Sequence, residues 1–276
     1  MAKTIAAKGS KEPSGAVPFA LKGMAGSVRC IAEYRRKGNL GVVWEVDPPV
    51  MMSVLFRQSG AHAVAALLDT ATGGCDIEDV EQIVKEQENA RGNFPGPLPM
   101  IVHDLVVDEV QLAQAASVGA EGIVLSVNVL GEKLDEMAAS AKAYGLEPVI
   151  ACRCKEELAA AGAAGAGVVA LNGITVDEMI ELADDFPEGA IKVGFLPLYD
   201  DKQLIEAEDA WRLRDAGFNT IWASEVLYKF QVDDGDSART IIKAVTSKGS
   251  VKYTRASMSY NTKGEGAREY LGSLEM

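Results

Sequence analysis

The sequence predicts an α/β protein built on one closed (β/α)8 barrel, also called a TIM barrel. Eight apolar, β-branched segments alternate with amphipathic stretches at intervals of roughly 20 to 35 residues, the unit size of βα repeats. Four of the helix-to-strand junctions carry a glycine between small or apolar residues, at Gly60, Gly119, Gly165 and Gly217. Glycine enters the left-handed conformation that ends a helix at little cost, so each glycine indicates the end of one unit.

The predicted strands cover residues 28–34, 63–68, 100–106, 122–128, 148–154, 168–172, 191–195 and 220–223. Predicted helices between them include residues 76–89, 108–117, 132–144, 177–186 and 202–215. A doubly wound open sheet is the alternative, but its glycine-rich phosphate loop after the first strand is missing. We therefore expect a single barrel over residues 28–249.

Two segments lie outside the repeat. Residues 1–27 are expected to form an extension that caps the barrel, with a short apolar helix face made by Phe19, Ala20, Leu21 and Met24.

Residues 250–276 have no helical stripe and are predicted to be an exposed arm. Tyr253, Tyr260 and Tyr270 stand there among Lys, Arg, Ser and Gly. Aromatic anchors dominate interface energetics, so we expect part of the arm to dock on another subunit or a foreign protein. A frayed, solvated tail is the alternative.

Composition excludes several classes of protein. The 276 residues carry 27 basic and 40 acidic side chains, a formal charge of −13, which argues against a nucleic-acid-binding domain. With 48% hydrophobic and 24% charged residues, the chain resembles an ordinary globular protein. Its most apolar stretch, residues 158–171, is too short and too rich in Ala and Gly to span a membrane.

Four cysteines are too few for a disulfide scaffold and lack zinc-site spacing, so no metal is expected. Reduced thiols favour the cytoplasm or a plastid stroma. Three origins fit the first 18 residues: a tag, a ragged mature terminus or the remnant of a transit peptide.

Candidate site residues lie where barrel strands end at their carboxyl side, because barrel enzymes place their chemistry there. Glu33 and Arg35 close the first strand, His103 lies in the third and Asn172 ends the sixth. Each also has a structural interpretation. Glu33 can be a buried ion-pair partner of an arginine, His103 a histidine held by a carboxylate, and Asn172 a turn cap.

Several motifs together resemble the indole-3-glycerol-phosphate synthase family, over roughly residues 19–229. They are Ile-Ala-Glu-Tyr-Arg-Arg-Lys at 31–37, Leu-Pro-Met-Ile-Val-His-Asp at 98–104, Ala-Leu-Asn at 170–172, and Asp-Ala-Gly at 215–217 leading to Ser-Glu at 224–225. The resemblance implies a cofactor-free carboxy-lyase of tryptophan biosynthesis. That reaction closes an indole ring on a carboxyphenylamino deoxyribulose phosphate with loss of CO2 and water, using acids and bases of the protein.

At the family's catalytic positions the sequence is divergent. The resemblance implies a lysine where Arg35 stands, a general-acid lysine at His103 and a glutamate at Ala151. Arginine binds carboxylates but does not release a proton near neutrality, and imidazole differs from an ammonium group in reach and pKa.

The family's phosphate grip is also altered. The resemblance places it near the ends of strands seven and eight, so Gly194 and Ser224 are candidates for binding a small phosphate-bearing ligand. Glu225 would repel an anion if it faced inward.

Three functional hypotheses follow. The first is a catalytically degenerate family member with a structural or regulatory role, built into a larger assembly. The alternative is an active synthase with reassigned groups, in which Glu33 is the base and His103 the acid. The third is another lyase, isomerase or phosphate-ligand binder on the same barrel.

Overall fold

The computed structural model describes residues 12–24, 26–37, 48–69, 73–199, 205–228 and 236–247. The strands are β1 (Arg29–Tyr34), β2 (Ala63–Leu67), β3 (Met100–His103), β4 (Gly122–Ser126), β5 (Glu147–Cys152), β6 (Val168–Leu171), β7 (Ile191–Phe195) and β8 (Thr220–Ala223). Each pairs in parallel with the next, and β8 pairs with β1. The predicted TIM barrel is confirmed.

The α-helices are α1 (Ala16–Lys22), α2 (Pro49–Ser59), α3 (Ile77–Asn89), α4 (Glu109–Ser117), α5 (Val127–Leu130), α6 (Leu134–Ala143), α7 (Lys155–Ala163), α8 (Val176–Glu181), α9 (Ile205–Asp215) and α10 (Asp236–Thr246). Short 3-10 turns occur at Gly131–Lys133, Ala183–Asp185 and Glu225–Tyr228. Capping boxes begin α3, α4 and α8, where the side chains of Asp76, Asp108 and Thr175 accept hydrogen bonds from first-turn amides. None of the described helices is long and apolar enough to cross a membrane.

The core has two layers because successive strand residues face opposite sides of the sheet. One layer fills the barrel, with Ile31, Ile101, Val149 and Trp222 among its members. The other lies between the strands and the surrounding helices. In β5, Ala151 belongs to the inner layer and Cys152 to the outer one.

Helix α1 closes the amino-terminal end of the barrel. Val17 and Leu21 are one helical turn apart and both reach the inner layer. The hydroxyl of Thr220 donates to the Leu21 carbonyl at 2.7 Å, which attaches the helix to the start of β8.

The predicted apolar face of this helix was only partly right. Leu21 is fully buried, but Phe19 and Met24 are 88% and 75% exposed. The four-residue spacing from Val17 to Leu21 selects the buried face and turns Phe19 to the opposite side.

Strand β4 also ends earlier than predicted. Residues 127–128 begin α5 rather than extend the strand. The side chains of Ser126 and Asn128 hydrogen-bond to each other at this point, a local contact that favours a turn over the ladder. The proposed arm at residues 250–276 lies outside the described residues.

Candidate active site

A cleft of about 770 Å³ opens at the carboxyl ends of the strands. Side chains from β1, β2, β3 and β7, and from the segments that follow β1, β6, β7 and β8, line it. The structure brings five of the six predicted site residues into this cleft, namely Glu33, Arg35, His103, Asn172 and Ser224. They lie in or directly after four different strands, so only closure of the barrel unites them.

Glu33 is the centre of the polar network in the cleft. Its side chain is 1% exposed. Oε2 accepts hydrogen bonds from His103 Nδ1 at 2.7 Å and from Trp222 Nε1 at 2.8 Å. Oε1 accepts from the hydroxyl of Ser224. An ionised carboxylate is an acceptor only, so these three donors match a charged Glu33.

Two opposing effects act on the pKa of Glu33. Burial is the largest single effect and raises it, because a charge loses water in the interior. The positive charge and hydrogen bond of His103, the hydrogen bond of Ser224 and the charge of Arg35 lower it. Together these partners outweigh burial, and the pKa lies below its ordinary value of 4.5. Glu33 is therefore a carboxylate near neutrality.

His103 is oriented by aromatic rings as well as by Glu33. Its ring makes edge contacts with Phe195 and Trp222, with centroids 5.6 and 5.5 Å away. Phe195 and Trp222 stack on each other at 4.5 Å. Because Nδ1 donates to Glu33, Nε2 is the nitrogen available to a ligand, and the side chain remains 19% exposed at the cleft.

Arg35 is held on the opposite side of Glu33 by another carboxylate. Its Nη1 lies 3.0 Å from Glu225 Oε1, 3.0 Å from Ser224 Oγ and 4.0 Å from Glu33 Oε1. Its Nε donates to the Lys37 carbonyl at 2.6 Å. The guanidinium therefore connects the segment after β1 with the segment after β8.

Tyr228 fixes the backbone that carries these groups. Its hydroxyl donates to the Glu33 carbonyl at 3.0 Å and accepts from the Arg35 amide at 3.3 Å. Burial raises the pKa of Tyr228 well above its ordinary value, so the phenol keeps the proton that it donates.

The sequence matches one family over most of the chain. The family model for indole-3-glycerol phosphate synthase matches residues 3–191. The chain belongs to this family. A relative from Chlorobium phaeovibrioides named indole-3-glycerol phosphate synthase is 28% identical over 217 residues, which cover 75% of this chain and 78% of that one. A relative of the same name from Chlorobium limicola is 29% identical over 217 residues, which also cover 75% of this chain and 78% of that one.

Solved structures confirm the fold alone. Thiamine phosphate pyrophosphorylase from Pyrococcus furiosus superposes with a TM-score of 0.56 at 12% identity, covering 81% of this chain and 99% of that one. Orotidine 5'-phosphate decarboxylase from Pyrococcus horikoshii gives 0.55 at 12% identity, covering 78% and 98%. These superpositions show that the barrel fold is shared. At identities this low, the activities of those two proteins cannot be assigned to this member of the indole-3-glycerol phosphate synthase family.

Gly194, the sixth predicted site residue, does not line the cleft. A Cβ at this position would lie 3.0 Å from Leu213 and 3.3 Å from Phe218, in the layer between strand and helix. Its neighbours Val193 and Phe195 face the barrel instead, as strand alternation requires.

Asn172 and Ser224 do line the cleft. The side-chain amide of Asn172 makes no hydrogen bond within the described part of the chain, so it is open to a ligand. Ser224 is engaged with both Glu33 and Arg35. The described residues contain no cluster of three or more side chains arranged to hold a metal ion.

The sequence did not predict the contacts that Glu33 and Arg35 make with Trp222, Tyr228 and Glu225. Trp222 stands two residues after Thr220 in β8, and this alternation is the one signal that places it on the inner face. Its hydrogen bond to Glu33 crosses from β8 to β1, where the barrel closes, and joins residues 189 positions apart in the sequence.

Proposed function

We propose that this chain is an active carboxy-lyase of the indole-3-glycerol phosphate synthase type. In this proposal His103 donates a proton to the substrate, and Glu33 holds the His103 ring in place. The single observation that carries this proposal is the 2.7 Å contact between His103 Nδ1 and Glu33 Oε2 inside the cleft. Two relatives that cover three quarters of the chain bear the synthase name. This function is the active-synthase alternative of the sequence analysis with one change, because Glu33 now positions His103 instead of acting as the base.

Glu33 is better suited to hold His103 than to act as the base. Its oxygens already accept three hydrogen bonds, and its lowered pKa makes it a weak proton acceptor. A carboxylate behind an imidazole fixes the ring and stabilises the imidazolium form. Nε2 is then the proton donor toward the substrate.

The proposed reaction requires a proton at the carbonyl oxygen of the substrate. When the aromatic carbon bonds to the substrate's carbonyl carbon and CO2 leaves, the carbonyl oxygen must become a hydroxyl group. That hydroxyl must take up a second proton to depart as water, and the new ring's CH2 group gives up one proton as the indole double bond forms. His103, neutral after the first transfer, can accept this proton at Nε2 and pass it to the departing hydroxyl. His103 can supply the first proton through Nε2, and general acid catalysis of this kind contributes about 10² to 10⁴ in rate.

The test is formation of indole-3-glycerol phosphate and CO2 in equal amounts by the full-length protein. We expect wild-type turnover, a loss of about 10² or more in kcat for His103→Gln, and retained activity for Asp104→Asn. Asp104 is the matched control because it follows His103 directly but accepts a hydrogen bond from Gln111 on the rim at 2.8 Å. Equal rates for His103→Gln and wild type would refute the assignment.

A catalytically degenerate member with a structural or regulatory role is the second candidate, and one observation favours it. Glu225 pairs with Arg35 at 3.0 Å, so a carboxylate occupies the end of β8 where the resemblance implies a phosphate. Ala151 also provides no carboxylate from β5. The same assay decides, because this candidate requires that the wild-type protein form no product.

A further inference from the structure

A second cavity lies at the opposite end of the barrel, beside α1. Its volume is about 370 Å³, at the small end of the range for ligand sites. We call it the lower pocket and define it by Phe19, Lys22, Gly23, Met24, Arg29 and His62. The acid–base chemistry proposed for the cleft uses none of these residues.

The charged lining of the lower pocket is entirely basic, in a chain whose formal charge is −13. Arg36, Arg57 and Arg153 each pair with a carboxylate. Arg29 differs from them, because no carboxylate in the described part of the chain reaches it, and its buried Nε has no hydrogen-bond partner there. A guanidinium without a carboxylate partner favours an anionic ligand.

His62 holds the Arg29 side chain in place. Burial first, and the charge of Arg29 second, lower the pKa of His62 to about 4, so the ring is neutral at pH 7. Arg29 Nη1 lies 2.6 Å from His62 Nε2, and because a guanidinium only donates, Nε2 is the acceptor and the ring proton lies on Nδ1. The Cys30 amide, 3.3 Å from Nδ1, makes the longer of the two contacts. The neutral ring accepts from one nitrogen of Arg29 but does not balance its positive charge.

The walls indicate the rest of the ligand. Phe19 and Met24 are among the most exposed large apolar side chains, and both border the pocket. Gly23 lets the Arg29 side chain pack on the backbone, since a Cβ there would lie 3.1 Å from Nε. The guanidinium is therefore fixed at the base of an apolar rim. An aromatic ring suits these walls better than a fully hydrated anion does.

We propose that the lower pocket binds a small aromatic carboxylate, with its carboxylate on the Arg29 guanidinium and its ring against Phe19 and Met24. Lys22, at the exposed end of α1, adds a positive charge at the entrance. The site is independent of the synthase proposal, because it lies at the other end of the strands.

The experiment titrates full-length protein with 4-fluorobenzoate and observes the fluorine NMR signal. We expect binding with a dissociation constant of about 1 mM or tighter, as suits a fragment of this size. The uncharged analogue 4-fluorobenzamide should bind at least tenfold more weakly, and inorganic phosphate should not displace the benzoate. Equal binding of the amide, or displacement by phosphate at matched concentration, would overturn the proposal.

Variants locate the site. Arg29→Met should weaken benzoate binding at least tenfold, whereas Arg91→Met, which removes an exposed arginine outside the pocket, should leave it unchanged. Should Arg29→Met fail to fold, Phe19→Ser decides, since this exposed side chain contributes little to stability and its loss should weaken binding severalfold. His103→Gln should bind benzoate like wild type, and loss of binding in this variant would assign the benzoate to the cleft instead.

Discussion

At the scale of single residues, Glu33 connects the stability of the barrel to its chemistry. Its carboxylate accepts from one side chain of β3, one of β8 and one directly after β8, and it lies 4.0 Å from Arg35. Removing one partner of a buried charged network leaves the others unsatisfied, which costs about 1–3 kcal/mol or more. The same carboxylate that orients His103 therefore also joins the strands.

The lowered pKa of Glu33 predicts how this contribution depends on pH. A carboxyl group whose pKa is lower in the folded state stabilises the protein above its unfolded value, near 4.5, and this stabilisation is lost as pH falls through the folded value. We expect Glu33→Gln to lower the free energy of unfolding by roughly 1–3 kcal/mol at pH 7. The difference from wild type should shrink below about pH 4.5.

Urea unfolding at a series of pH values measures this difference. Glu88→Gln, which changes an exposed carboxylate on α3, is the control and should stay within about 0.5 kcal/mol of wild type. A Glu33→Gln difference that grew on acidification would contradict the assigned direction.

Sequence reasoning was most successful for residues whose position follows from strand alternation. Glu33 and His103 were expected in the mouth, and the structure places them in one cleft. The contacts of Trp222 in β8 and of Tyr228 in the turn after it were not foreseen, because they depend on closure of β8 against β1 and on the rotamers of both side chains. Gly194 does not line the cleft, because the inward and outward alternation of β7 turns it toward the layer between strand and helix.

At the scale of elements, α1 acts as a plug for the amino-terminal end of the barrel. Leu21→Ala should destabilise the protein by about 2–5 kcal/mol, because a fully buried side chain would leave a cavity in the inner layer. Phe19→Ala on the same helix is the matched control and should change stability by no more than about 0.5 kcal/mol. Thermal unfolding checks both. Equal effects of the two substitutions would mean that α1 does not pack under the barrel.

Element boundaries followed the strength of the local signal. Strands β7 and β8 have the predicted bounds, since glycine or polar turns frame both runs. Helix α7 was not specified in advance, because its run of Ala and Gly lacks a clear apolar stripe and only Leu158 and Ala161 are buried. Its place against β5 comes from the repeat of the barrel rather than from its own sequence.

At the scale of the whole molecule, charge is distributed unevenly between the two ends of the barrel. Glu33, Glu178 and Glu225 line the cleft with Arg35, whereas the charged side chains that line the lower pocket are all basic. With a formal charge of −13, the protein should repel an anionic substrate over long distances.

This repulsion predicts an unusual salt dependence. Raising ionic strength from about 0.01 to 0.15 M shortens the Debye length from about 30 to 8 Å, so kcat/KM for the anionic substrate should rise severalfold. Initial rates at fixed pH measure the effect, and the rates in a non-ionic osmolyte provide the control. A fall in kcat/KM over this range would show that cations near the mouth dominate substrate capture.

Chemical rescue of His103→Ala most directly tests whether His103 is the proton donor. In full-length protein, this variant should lose about 10² to 10⁴ in the rate of ring closure. Added imidazole should fit the space above Glu33 and restore turnover in proportion to its concentration, with KM for the substrate nearly unchanged. An active His103→Ala protein, or a wild-type protein that forms no indole-3-glycerol phosphate, would contradict the role proposed for this pair.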